Sequence, residues 1–298
     1  MFQGCVESGR APRSLIPSKP AAAGSGGETQ DGGIAEVAMS KNRFKFRVEN
    51  GITLVTLLII FVAWFEVTRR GVVPKIFIPS PYDVWKGFEE TIFQGYHGNG
   101  LIYHCMVSLG RVLLGWVTAC VVAIPLGLAM GLSSKIRAVF DYLIEFYRPL
   151  PPLAYYTLLV LWFGIGEFSK ILLLFLAAIP PLTIGAVEGV KEVTPSVIQA
   201  ARSLGANSRQ VFFKIILPAT TPAIITAMRI SLGFTYTVLV AAEIVAATEG
   251  IGWMVWDASK FMRSDIIFVG IITMGITGIG LDACLRFAAR HLLRWKRQ

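Results

Sequence analysis

The sequence predicts an all-α integral membrane protein, with six transmembrane helices and a helical loop on one membrane face. Three observations predict it. Of 298 residues, 54% are hydrophobic and only 16% are charged, against about 25% charged in an average soluble domain. The apolar surplus sits in uncharged runs of membrane-spanning size. The net charge of +9 gathers at the ends of those runs, which fits orientation in a bilayer rather than nucleic-acid binding. Cys5, Cys105, Cys120 and Cys284 are far apart and form no C-x-x-C, so they read as free apolar residues, with no disulfide framework and no metal site. His97, His104 and His291 do not cluster either.

Three stretches organise the chain. Residues 1–40 are rich in Ala, Gly, Ser and Pro and show no helical period, which reads as a disordered tail. Met39 is a second candidate start, because MSKNRFKFR has the short basic form of an inner-membrane N-terminus. Residues 41–106 hold the first span, Ile52 to about Val67, and a mixed segment beyond it. In that segment Ser80-Pro81 starts a short helix with Val84, Trp85, Phe88 and Ile92 on one face, lying on the membrane surface or on other helices. Residues 107–298 form the core, with a polar loop at 194–220.

The second span is Val112–Leu132, where Gly127 and Gly131 either permit close helix contact or fall four apart by chance. The third runs from Pro151-Pro152 to Ile165. The fourth, Ile171–Val187, contains Pro180-Pro181. A double proline removes two N–H donors, and the freed carbonyls find no partner in lipid. This helix should therefore line a cavity or pack inside the bundle. Thr221-Pro222 opens the fifth span, and the sixth is Ile266–Leu281.

Six spans place both termini on one side. That side then carries 19 of the 28 Lys and Arg, and the other side 7, with Arg111 and Arg229 at span edges. By the positive-inside rule the richer side, which includes the polar loop, is cytoplasmic.

That loop is QAARSLGANSRQVFFKIILP, Gln199–Pro218. Thr194 can cap a first helical piece, with Pro195 at its first position and Gly205 just past its end. Val197, Ile198, Ala201 and Leu204 fall on one side of it, and Ser196, Gln199, Arg202 and Ser203 on the other. Ser208 can cap a second piece, which Pro218 should end. The product is a short rigid knuckle shaped to dock into a partner.

No catalytic set is visible. G-x-x-x-x-G-K-[ST] is absent, so the chain is not expected to hydrolyse ATP alone. No nucleophile–base set, acid–base pair or metal cluster appears. Arg229 and Glu243 bracket an uncharged run in the fifth span, about 21 Å apart by helical rise and only about 40° apart around the axis. Either they border a translocation route, or each pairs with a neighbouring helix for structure alone. Asp282 is placed to pair with Arg286. Tyr147, Tyr155, Tyr156, Trp162 and Phe163 flank the third span, as interface anchors or as an aromatic wall for an ammonium group.

The polar loop resembles the "EAA" loop of permease subunits of bacterial ATP-binding-cassette importers: Glu-Ala-Ala, three residues, Gly, nine residues, Ile-x-Leu-Pro. Ala200, Ala201, Gly205, Ile215, Leu217 and Pro218 match, while Gln199 stands where Glu is usual. The resemblance extends from about residue 101 to 285. YRPLPPLAYYTLLVLWFGIGEFSKI (Tyr147–Ile171) and LVAAEIVAATEGIGWMV (Leu239–Val255) are similar to the sulfonate, nitrate and taurine branch, taurine permeases most of all. Tyr156-Thr157 depart from the Leu-Pro common there.

The resemblance implies a type I importer permease, itself non-catalytic, in the bacterial inner membrane. It implies a second permease copy, two ATP-binding subunits that hold ATP and magnesium, and a periplasmic binding protein. No cofactor is implied on this chain. Gln199, Ala200, Ala201, Gly205, Ile215, Leu217 and Pro218 become the ATPase-coupling residues. Arg229, Glu243, Tyr147, Tyr155, Pro180 and Pro181 become candidates for the pathway. The implied cargo is taurine, with another aliphatic sulfonate or nitrate as the alternative. A secondary transporter would need its own coupling-ion site, and a membrane enzyme a reactive set near one face.

Overall fold

A computed structural model of the chain describes residues 51–292. The expected tail (1–40), the basic flank Lys41–Arg47 and the terminal Arg294, Lys296 and Arg297 lie outside the described residues. The chain divides into two compact units between Val62 and Ala63, inside helix α1 (Gly51–Arg69). The described part of the first unit is the uncharged helical stretch 51–62.

The second unit continues with α2 (Pro81–Glu89), α3 (Leu101–Leu132), α4 (Ser134–Tyr147), α5 (Pro152–Phe163) and α6 (Glu167–Lys191). After these come α7 (Pro195–Ser203), α8 (Ser208–Val211), α9 (Leu217–Ala246), α10 (Ile251–Lys260) and α11 (Ser264–Leu292). The described residues contain no strand, only an isolated bridge between Tyr96 and Asn99.

By length and composition five helical runs can cross a membrane: α1, α3, α6, the continuous 39-residue run Ser208–Ala246, and α11. The third expected span differs. Its helix, α5, has 12 residues, about 18 Å by rise, against a hydrocarbon layer of about 30 Å. Pro151 and Pro152 explain the shortness, because neither supplies the N–H that a helix continuing from α4 would need. α4 stays at the end of the bundle where α3 stops, and α5 alone reaches toward the other end. Ile144 of α4 packs with Met130 and Val187 at one level, while Tyr156 of α5 donates its hydroxyl to the Ala242 carbonyl at the other (3.3 Å).

The core is the triple α3–α6–α9. α3 and α6 run in the same direction, as successive contacts show: Gly115 lies against Leu174, Gly127 against Ala186 and Gly131 against Val190. A Cβ at Gly127 would come within 2.7 Å of the Ala186 Cβ, and one at Gly131 within 2.6 Å of the Val190 Cβ. The small-residue pair therefore serves close contact. α9 runs antiparallel to α6, with Gly189 against Ala223, Gly185 against Ala227, and the Ser231 hydroxyl donating to the Ala178 carbonyl (3.2 Å). Val112, Ala119, Leu173, Ala177, Leu182 and Leu239 fill the space between them.

α2 starts on a capping box between Ser80 and Asp83, as its Ser-Pro start suggests. Its apolar face is narrower than expected. Val84 and Phe88 pack against α10 and α11, whereas Trp85, about 100° round the helix, is exposed.

Candidate functional site

The bundle has two elaborated ends. At the end where α6 stops and α9 begins stands the knuckle. α7 starts with Pro195 at its first position, and Thr194 occupies the N-cap without a side-chain cap bond. Gly205 has φ +85°, a conformation that costs L-residues about 1–2 kcal/mol. Its N–H donates to the Arg202 carbonyl (2.9 Å), and the Ala206 N–H donates to the Ala201 carbonyl (3.0 Å). Together these bonds form a Schellman motif. The second piece is capped by Asn207, not Ser208 as expected: Asn207 Oδ1 accepts from the Gln210 N–H (2.8 Å), and Gln210 Oε1 accepts from the Asn207 N–H (2.9 Å). An amide side chain at this position completes a reciprocal box that a hydroxyl one residue later cannot.

Pro218 does not end the helix, contrary to expectation. Phe212–Ile216 form a π turn in which the Leu217 N–H reaches the Phe212 carbonyl, and α9 starts at Leu217 with Pro218 in its first turn, where a missing N–H is tolerated. Thr221-Pro222 accordingly falls inside α9 rather than opening a new helix. Val211 and Ile216 anchor the knuckle on Leu128, Ala186 and Val190. Ile198 and Ala201 of α7 pack partly against the same cluster, and the opposite face of α7 points outward. No residue of α7 is buried, Leu204 is 89% exposed, and Gln199 and Ala200 are exposed.

Pro180 and Pro181 line a cleft of about 730 Å³ between α6 and α9, with Gly185, Ala227 and Phe234 on its walls and Arg148, from the α4–α5 break, at its edge. The double proline thus faces a cavity, as its chemistry required. Tyr147 and Tyr155 meet across the same break, with ring centroids 5.2 Å apart.

The opposite end, where α3 and α6 begin and α9 stops, is built around Glu243. Its carboxylate is wholly buried. Oε1 accepts from the Ser108 hydroxyl (2.7 Å) and Arg111 Nη1 (2.8 Å), and Oε2 accepts from the Gly252 N–H (2.7 Å). Glu243 therefore sits at the N-terminus of α10, where a negative charge is favoured. Gly250 (φ +119°) lies directly against this carboxylate, where a Cβ would clash with it. Around this centre the Ile251 N–H donates to Ser108 Oγ (2.8 Å), and the Gly250 N–H donates to His104 Nδ1 (3.1 Å). That bond leaves His104 Nε2 to donate to the Tyr96 carbonyl (3.3 Å). Arg111 also holds the Glu249 carbonyl (2.8 Å) and, through its other edge, both oxygens of Glu167.

Arg229 and Glu243 are not brought together. Arg229 pairs with Asp282 on α11 (3.0 Å), which also takes Arg286 (3.0 Å). Sequence reasoning missed Ser108, Arg111, Glu167 and Lys170 as a group. A signal existed: His104, Ser108 and Arg111 recur at helical spacing near the start of an otherwise apolar helix.

The family of binding-protein-dependent transport system inner membrane components matches residues 123–298. The chain belongs to this family. It is thus a multi-pass inner-membrane component of a transport complex, and the matched stretch contains the cleft, the knuckle, Glu167 and Glu243. The taurine transport system permease protein TauC of Escherichia coli is 41% identical to it over 245 residues, covering 82% of this chain and 89% of TauC. The putative aliphatic sulfonates transport permease protein SsuC of Bacillus subtilis is 33% identical over 238 residues, 80% of this chain and 85% of SsuC. A solved inward-facing form of the MetNI methionine ABC transporter shares the fold, with TM-score 0.53 at 18% identity, over 65% of this chain and 94% of that one.

Proposed function

We propose that this permease carries a small organic sulfonate, taurine first, from periplasm to cytoplasm by alternating access, driven by a separate ATPase. The observation that carries the coupling half is the knuckle: a capped, glycine-broken double helix whose α7 has no fully buried residue and whose second piece continues without interruption into α9. An exposed and internally rigid element is what a docking partner can push. The cargo rests on the likeness to TauC and SsuC. Another aliphatic sulfonate is the second reading, since SsuC is similar over nearly the same share of the chain.

In this reading both termini and the knuckle are cytoplasmic, and the Glu243 end faces the periplasm. Two permease copies pair across the membrane. Two ATP-binding subunits grip the knuckles through Gln199, Ala200, Ala201 and Gly205, while Ile215, Leu217 and Pro218 form its root. ATP and magnesium sit on those subunits, and this chain catalyses nothing. ATP-driven closure of the subunits tilts the knuckles, α9 follows, and the cleft beside Pro180 and Pro181 opens outward to receive solute from the binding protein. Hydrolysis restores the inward-open form. The decisive experiment is co-purification with the ATPase, followed by taurine-stimulated ATP turnover and uptake in proteoliposomes. An assembled complex that hydrolyses ATP without moving any sulfonate would overturn the cargo, and a permease that binds no ATPase would overturn the mechanism.

A further inference from the structure

At the Glu243 end, two cations converge on one carboxylate that reaches in from outside. Glu167 Oε2 accepts from Arg111 Nε (2.6 Å), and Oε1 accepts from Arg111 Nη2 (2.7 Å) and Lys170 Nζ (2.8 Å). The donors are shielded and the acceptor is not: side-chain exposure is 2% for Arg111 and 6% for Lys170, but 53% for Glu167. The Arg111 fork is also fixed independently of Glu167, because Nη1 is tied to Glu243 and to the Glu249 carbonyl. Glu167, by contrast, is the first residue of α6 and follows the turn Gly164-Ile165-Gly166. A Cβ at either glycine would meet nothing within 4 Å, so the turn has room to move.

A buried guanidinium fork with an ammonium beside it is a preformed cradle for a planar or trigonal oxyanion. We propose that Arg111 and Lys170 form an oxyanion site in which Glu167 is a tethered occupant, and that the sulfonate group of an arriving solute displaces it. Charge balance supports exchange. Arg111 and Lys170 offset Glu243 and Glu167, and replacing the Glu167 carboxylate with a sulfonate monoanion leaves the local sum of charge unchanged. Removing Glu167 without replacement leaves one buried positive charge unmatched, which an oxyanion would fill. The site rests on the importer reading for its solute, since the periplasmic end is where a sulfonate arrives. A lipid phosphate offers the same oxygens, so the test must separate the two sources.

A tethered ligand competes at an effective concentration of millimolar or more. The full-length permease in maltoside micelles is therefore titrated with methanesulfonate, sodium chloride holding ionic strength constant, and thermal unfolding is followed. In Glu167→Gln the stabilisation should reach its midpoint at a concentration about tenfold or more below wild type. Adding Lys170→Gln should abolish that gain, and chloride alone should produce none. Equal midpoints in wild type and Glu167→Gln, a gain that survives Lys170→Gln, or an equal response to chloride would each overturn the site. A gain seen with phosphatidylglycerol but not with methanesulfonate would assign the cradle to lipid and overturn the solute site. If Glu167→Gln does not fold, Glu167→Asp, one methylene shorter, should move the midpoint the same way by less, and an unmoved midpoint again overturns it. Sulfonate binding here without sulfonate uptake by the reconstituted importer would sink the cargo but not the site; uptake without Glu167-dependent binding would do the reverse.

Discussion

No residue of α7 is buried, whereas at the far end of α9 the Glu243 carboxylate is wholly buried and collects three donors. The knuckle holds its shape through local bonds: a proline start, a Schellman turn and an Asn207–Gln210 box. The Glu243 end also draws on bonds between residues more than 130 positions apart, such as Arg111 to Glu243 and Ser108 to Glu243. The difference suits each end to a different task. A locally rigid, externally bare element can be gripped and released by a partner without unfolding. A buried ion pair joining α3 to α9 and abutting α10 keeps them in fixed register, because separating its charges is expensive.

The largest expected effect breaks the buried end. Arg111→Leu leaves the buried Glu243 carboxylate with the Ser108 hydroxyl and the Gly252 N–H but no counter-charge, and should destabilise the permease by about 3–5 kcal/mol, read as loss of monodisperse protein in detergent. Glu243→Gln, which leaves Arg111 its Glu167 partner, should cost about 1–3 kcal/mol and keep the complex assembled. If both variants unfold like wild type, this end is not held by that pair. Altered uptake kinetics in a fully assembled Glu243→Gln complex would add a route-lining role.

Gly205→Val should separate stability from function. It strains a left-handed position by about 1–2 kcal/mol, and its insertion should be normal while ATP-coupled uptake is lost. Normal uptake would remove the knuckle from the coupling. Asn207→Ala should be milder, about 1 kcal/mol of local cap stability, seen as faster hydrogen exchange over residues 207–211 with little change elsewhere. A global change instead would mean that the knuckle is not a local unit. The smallest effect is expected at α2, where the Ser80 hydroxyl bonded to Asp83 holds that carboxyl below its ordinary value. A depressed carboxyl contributes stability above its unfolded value and loses it as pH falls. Thermal stability should therefore drop slightly below about pH 4, and Asp83→Asn should flatten that drop.

The same contrast explains what was legible in the sequence. Helix content, the apolar runs, the turn at Gly205 and the cavity beside Pro180-Pro181 follow from near-neighbour chemistry, and each was readable. The cap at Asn207 was misplaced by one residue because Ser208 is an equally good capping type, and only Gln210 three residues on from Asn207 decides between them. Pro218 was misread because a π turn can precede a proline and keep the helix going. The third span falls where its apolar run lies, but Pro151-Pro152 and Gly164 confine its helix to 12 residues, and only the packing of Tyr156 shows how deep it reaches. The Arg111–Glu243–Glu167 group was invisible as a group because its members lie on three helices, and no local pattern states which helices will meet.

The uninterrupted run from Ser208 to Ala246 spans 39 residues, about 58 Å at helical rise. It starts in the knuckle and stops three residues beyond Glu243. It is long enough to cross a bilayer as one rod, and its middle rests on the glycine–alanine contact with α6. A swing of about 10° about its middle would carry each tip about 5 Å in opposite directions. A modest shove on the inner tip would thereby shift the outer tip by roughly the width of a small solute, carrying along the parts of α3 and α10 that Glu243 ties to it.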